Sequence, residues 1–126
     1  MTTAIFDLAE LPRAFADRFN ARDLDGLVAL TTPETVFVPA PGQPVQGADQ
    51  VRAALESFLG IDLPISLTVR HTFVAGATGL AVADWKIEGT GPDGAAVSLS
   101  GSTADVATLD EAKGWRYTID NPFGTA

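Results

Sequence analysis

Ile65-Ser66-Leu67-Thr68-Val69-Arg70-His71-Thr72-Phe73 decides the fold. Apolar and aromatic side chains at the odd positions alternate with Ser, Thr and Arg at the even ones. That period of two belongs to a strand with one face in a core. Working outward, Gly76-Ala77-Thr78-Gly79 turns the chain, and Leu80 to Gly89 forms the next strand. Gly89-Thr90-Gly91-Pro92-Asp93-Gly94 is a hairpin signal. A long strand from Ala95 to Ala107, a turn from Asp110 to Gly114 and a last strand from Trp115 to Asp120 complete a meander.

Upstream the period changes to that of helices. Leu8, Leu11, Phe15 and Phe19 mark one helix face. Pro12 fits only near a first turn, so the helix starts close to Leu11. Asn20-Ala21-Arg22 ends it, and Asp23 caps a short second helix through Leu24, Leu27, Val28 and Leu30. Thr35-Val36-Phe37-Val38 is a short strand. The prolines at 39, 41 and 44 make residues 39–47 a loop, and a third helix spans about Ala48 to Leu59. Three helices ahead of a meander predict an α+β fold, with the helices on one face of a mostly antiparallel sheet. Residues 1–126 form a single domain on this reading.

Composition narrows the function. Eight Lys+Arg stand against 16 Asp+Glu, a net charge of −8, which argues against nucleic acid and against anionic membrane surfaces. No cysteine is present, so thiol nucleophiles and iron–sulfur clusters are excluded. With His71 as the single histidine, no closed zinc site is expected. Asp23-Leu24-Asp25-Gly26 has its glycine misplaced for a calcium loop and reads as a helix cap. Gly89, Gly91 and Gly94 have dinucleotide-fingerprint spacing but lie between two strands, which makes them a turn. The first residues lack a basic, apolar signal peptide, and no apolar run nears ~18 residues. A cytoplasmic protein is expected.

Several strings resemble one superfamily. Asn20-Ala21-Arg22-Asp23-Leu24-Asp25-Gly26-Leu27-Val28-Ala29-Leu30 resembles the helix-to-helix corner of nuclear-transport-factor-2-like proteins. That group includes SnoaL-like polyketide cyclases and ketosteroid isomerases. Pro41-Gly42, Gly47, the Val51-to-Leu59 helix and the closing Trp115-Arg116-Tyr117…Asp120-Asn121-Pro122 are similar too. The resemblance implies a cone: a strongly curved sheet wrapped around the N-terminal helices, enclosing an apolar pocket, commonly as a homodimer. It does not imply one reaction, since a fold hosts many. The isomerases' general base matches Pro39, or Val38 with a one-residue slip, and their oxyanion-hole tyrosine matches Phe15. None of these residues can take that part, so classical ketosteroid isomerisation is not expected. The family's second oxyanion group falls on Asp105, with Thr103 a competitor.

Within that frame His71 and Asp105 are the candidate catalytic residues. His71 shares an apolar face with Ile65, Leu67, Val69 and Phe73, so it is either a pocket acid–base or a hydrogen-bonded core histidine. Asp105 shares a face with Val97, Leu99 and Thr103 and is either a pocket acid of raised pKa or an exposed strand end. Trp85 joins Ala81, Ala83 and Ile87 on the apolar side of its strand, which sends Asp84 outward; reversed parity would make Asp84 the pocket acid. Asp120 falls with Arg116 on the face of the last strand opposite Trp115, Tyr117 and Ile119, and reads as a turn cap. Phe15, Phe37, Phe58 and Trp85 are expected as ligand-contacting walls. The Ser98, Ser100 and Ser102 face suits sheet-to-sheet dimer packing. A small apolar, ring-containing ligand and cofactor-free acid–base chemistry of isomerase, cyclase or hydrolase type follow. The rivals are a non-catalytic ligand-binding or dimerisation module and a transport-factor-like adaptor.

Overall fold

The computed structural model describes residues 4–126, so the reading of residues 1–3 as part of a leaderless start lies outside it. Helices α1 (Glu10–Asn20) and α2 (Leu24–Val28) lead into strands β1 (Thr31–Ala40) and β2 (Gln43–Gln46). Helix α3 (Ala48–Leu59) precedes β3 (Ile65–Ala75), β4 (Thr78–Thr90), β5 (Ala96–Ser102), β6 (Asp105–Asp110) and β7 (Gly114–Asp120). No described helix is long and apolar enough to cross a membrane.

Local chemistry fixes the helical corner. Pro12 sits in the first turn of α1, where its missing N–H has no helical partner to lose. The Asp23 carboxylate accepts from the Gly26 N–H at 2.9 Å and caps α2. Asn20 then ties this corner to the sheet. Its Nδ2 donates to the Ile65 carbonyl (3.0 Å) and its Oδ1 accepts from the Ile65 N–H (2.8 Å). Arg22, at φ 59°, continues the clamp by donating to the Leu63 carbonyl.

The sheet order is β2-β1-β7-β6-β4-β3, with β5 also on β4. Pairing is antiparallel except for β1 against β7. β5 and β6 lie in one unbroken register along β4, from Thr90↔Ala96 to Thr78↔Thr108. The Thr103 N–H donates to the Ala83 carbonyl between them. The expected long third meander strand is therefore present, interrupted only where its edge meets the C-terminal turn. One expectation needs correcting here. Residues 43–46 pair with β1 instead of forming a loop, and Pro44 is accommodated because β2 is an edge strand.

Two β-bulges control which side chains face the helices. Between Val69 and His71 the β3–β4 register slips by one residue, and between Tyr117 and Ile119 β7 carries one extra residue against β6. An inserted residue turns every later side chain to the other face. Ile65, Leu67 and Val69 therefore face the helices, whereas His71 and Phe73 point outward. On β7 Tyr117 faces inward, Ile119 outward and Asp120 inward. The concave face packs as two apolar clusters. Phe19, Leu27, Phe37, Val51, Leu55 and Ile87 build one, Leu11, Leu30, Trp115 and Tyr117 the other, and Phe15 touches both.

Candidate active site

A cavity lies between the two clusters. Its walls include Phe15, Phe19, Phe37, Phe58 and Trp85, and Thr103, Asp105, Tyr117 and Asp120 are its polar members. The cavity and its opening to solvent span about 440 Å³ of non-atom space, and about 30 Å³ admits the centre of a water molecule. The aromatic walls interlock: Phe15 stacks on Phe19 (6.2 Å between centroids) and meets Tyr117 edge-on, and Phe37 meets Phe58 edge-on at 5.7 Å. Trp85 is anchored by its Nε1–H, which donates to the Pro122 carbonyl at 2.7 Å. Gly101 permits this, because a Cβ there would stand 2.8 Å from the Pro122 oxygen and 3.0 Å from the indole nitrogen.

The ionisable groups of the cavity sit on neighbouring strands. Because Val106 pairs with Ile119, the next residues, Asp105 and Asp120, stand side by side on the concave face. Asp105 is 2% exposed and Asp120 5%. The two carboxyl groups are within hydrogen-bonding reach of each other. Burial raises the Asp105 pKa well above the usual carboxylate range, and the charge of Asp120 adds to it. Hydrogen bonds from the Asn121 N–H (2.9 Å) and the Thr103 hydroxyl oppose that rise in part. Burial also pushes Asp120 up to about 7, while the hydrogen bond from Asp105 favours its ionised form. Burial therefore favours a protonated Asp105, while Asp120 passes from its neutral to its ionised form near neutral pH and, once ionised, is placed to accept from Asp105. Two carboxyl groups this close in an apolar site cannot both ionise freely. The buried Tyr117 phenol has its pKa raised further above its ordinary value, by burial and by the two carboxylates, so it stays a neutral donor.

The residues expected at the site divide cleanly. Asp105, Phe15, Phe37, Phe58 and Trp85 all line the cavity. Asp84 points outward, where it accepts from Ser102 Oγ (2.6 Å) and lies 3.4 Å from Arg70 Nη1. His71 is a correction: it is exposed on the outer face, stacked on Phe73 at 5.9 Å, and does not share a cavity with Asp105. The bulge beside it is the cause. The bulge in β7 has the opposite effect on Asp120, which belongs to the cavity; the turn after it is capped by Asn121, whose Oδ1 accepts from the Phe123 N–H and whose Nδ2 donates to the Gly124 carbonyl. Uninterrupted alternation thus misplaces Asp120; Tyr117, ahead of the bulge, keeps the inward parity of Trp115 but carries no sequence signal of a role in the cavity. The available signal was the long apolar set on the adjoining strand, which leaves Asp105 in need of a polar partner.

Comparison with known proteins agrees with this architecture. A family model described as a SnoaL-like domain matches residues 13–117. A nuclear transport factor 2-like superfamily protein from Salmonella enterica is similar with a TM-score of 0.76 at 20% identity, covering 94% of this chain and 89% of that one. A ketosteroid isomerase-like protein from Erwinia carotovora gives 0.75 at 14% identity, with 87% of each chain covered. An LEH-like epoxide hydrolase from Mycobacterium tuberculosis gives 0.63 at 16% identity, covering 89% of this chain and 74% of that one. No curated protein matches.

Proposed function

The chain belongs to the SnoaL-like domain family, and on that premise we propose that it is a cofactor-free acid–base catalyst acting on a small, mostly apolar molecule. One observation carries this reading: two buried carboxyl groups lie side by side in a cavity walled mainly by aromatic and aliphatic side chains. Asp105 is the acid that protonates a ligand oxygen. Asp120 is the base that takes a proton from carbon or from an attacking water. Tyr117 donates a hydrogen bond to the oxygen as charge develops there. Addition or removal of water, or opening of a strained oxygen ring, needs such a pair. The epoxide hydrolase among the structural neighbours is consistent with that class. Classical ketosteroid isomerisation is not proposed. Phe15 has no hydroxyl, and Pro39 lines the outer mouth and has no carboxylate.

The test is turnover of a panel of small apolar epoxides and β-hydroxy ketones by the wild type, Asp105→Asn and Asp120→Asn. Loss of an acid or base lowers the rate by about 10²–10⁴. A rate limb near pH 7 is expected from Asp120. Binding without turnover in any variant supports instead the rival reading of a non-catalytic ligand-binding module.

A homodimer through the outer sheet face belongs to the same proposal. Phe73, Leu80, Val106, Ile119 and Val36 are successive cross-strand partners and form one outward apolar row. Phe73 is 60% exposed, and Ser98, Ser100 and Ser102 continue the face as small side chains. Light scattering across micromolar concentrations tests it; a persistent monomer refutes it. Cytoplasmic residence completes the proposal and is tested by fractionating cells that express the chain.

A further inference from the structure

We propose that the cleft at the mouth of the cone is an outer compartment of the same site, and that it takes the apolar body of an elongated neutral ligand whose oxygen reaches Asp105. This rests on the acid–base reading above and adds the substrate class. The cleft is lined by Pro39, Ala54, Phe58, Ile61, Leu99 and Phe123, with Ser57 and Ser100 beside them. None of its lining residues is charged. About 460 Å³ of it admits the centre of a water molecule, against about 30 Å³ in the inner cavity.

Continuity between the two spaces identifies the occupant. Phe58 and Trp85 line both, and the adjacent residues Pro122 and Phe123 line the inner and the outer one respectively. The partition is therefore a few side chains thick. Its members differ in freedom. Trp85 is held by its hydrogen bond to Pro122 and by the edge of Phe123 at 5.9 Å. Phe58 sits half-buried in the last turn of α3, which ends at Leu59. Phe58 is held by no hydrogen bond, only by packing that includes the edge of Phe37 at 5.7 Å, so it is the member whose rotation would join the compartments.

The exposure of Leu99 points the same way. Its cross-strand partner Ile87 is fully buried on the concave face, yet Leu99 is 40% exposed. Helix α3 packs on β1 and β2, and the cleft separates it from Leu99 and Ser100 of β5. A ligand body lying between α3 and β5 covers it. Charge selects the ligand: the half-ionised carboxyl pair and the net charge of −8 disfavour a carboxylate head. A neutral carbonyl, alcohol or epoxide oxygen on an alkyl or alicyclic body fits. The inner space is too narrow for that body, so chain length is read by the cleft and the oxygen by Asp105.

The test uses the neutral alkan-2-ones from 2-hexanone to 2-decanone, with affinities measured by calorimetry on the full chain. Affinity should rise about fourfold per added methylene. Leu99→Asp, at an exposed position, should abolish that gain for the longer members and leave 2-hexanone unchanged. Ala54→Trp, which fills the cleft from α3, should do the same; Leu99→Asp decides if Ala54→Trp fails to fold. Asp105→Leu removes the donor and should weaken every member by the same factor, about tenfold. A flat chain-length profile, or no saturable binding of any ketone by folded wild type, overturns the outer compartment. A steep profile that Asp105→Leu does not shift upholds the cleft and overturns the acid–base reading.

Discussion

Replacing Asp120 by asparagine should change the protein's response to pH. Both buried carboxyls have folded pKa values above those of the unfolded chain. The folded state therefore binds more protons than the unfolded state between about pH 4 and pH 7, and stability must fall as pH rises through that window. Asp120, at about 7 in the fold against an ordinary 3.8, spans about three pH units. At 1.36 kcal/mol per unit this comes to about 4 kcal/mol, a large share of a typical domain's stability. The asparagine side chain is a neutral group of the same shape that can still hydrogen-bond Asp105, and it does not titrate. With asparagine taken as equivalent to the protonated side chain, the Asp120→Asn variant should exceed wild type by about 1.5 kcal/mol near pH 5 and by about 4 kcal/mol near pH 8. Urea unfolding at pH 5, 6, 7 and 8, followed by tryptophan fluorescence, reads the difference directly. Effects of the more distant carboxylates cancel between the two proteins. Parallel profiles that do not diverge with pH would refute the reasoning, because Asp120 would then titrate alike in the folded and unfolded states.

Three further outcomes follow from the same geometry. Asn20→Ala removes both hydrogen bonds to Ile65 and should cost about 2–3 kcal/mol in urea unfolding, part of it from the unpaired backbone groups. Gly101→Ala drives a methyl into the Pro122 oxygen and the Trp85 indole; a loss of about 1–3 kcal/mol and a shift in Trp85 emission are expected. His71→Ala, on the outer face, should leave stability within about 0.5 kcal/mol and any turnover at the wild-type rate, measured side by side.

Much of the fold was legible because its signals are local. The Leu11, Phe15 and Phe19 stripe, the Asp23 cap and the alternation of Ala81, Ala83, Trp85 and Ile87 each depend on a few neighbouring residues. Asp105 was legible for the same reason: its strand runs in one register from Ala96 to Thr108, so parity counted from Val97 holds through Leu99 and Thr103. Parity failed where one residue is inserted. Neither Arg70 nor Thr118 is a glycine or proline, and nothing in their side chains marks a bulge. One insertion carried His71 out of the interior and the other brought Asp120 in. Sequence pattern therefore put an imidazole beside Asp105 among the candidate catalytic residues, where the fold places a second carboxyl. Residues 43–46 escaped notice because Pro44 argues against a strand except at an edge, and edge position is a property of the assembled sheet.

The raised pKa of the paired Asp105 and Asp120 is the claim on which the function rests, and carboxyl ¹³C NMR titration of aspartate-labelled protein tests it most directly. The account predicts two aspartate resonances outside the normal range, one with its midpoint near pH 7 and the other still protonated there, both lost in the Asp105→Asn, Asp120→Asn double variant. If every aspartate carboxyl titrates below about pH 5, the two residues are ordinary solvated carboxylates and the acid–base site does not exist.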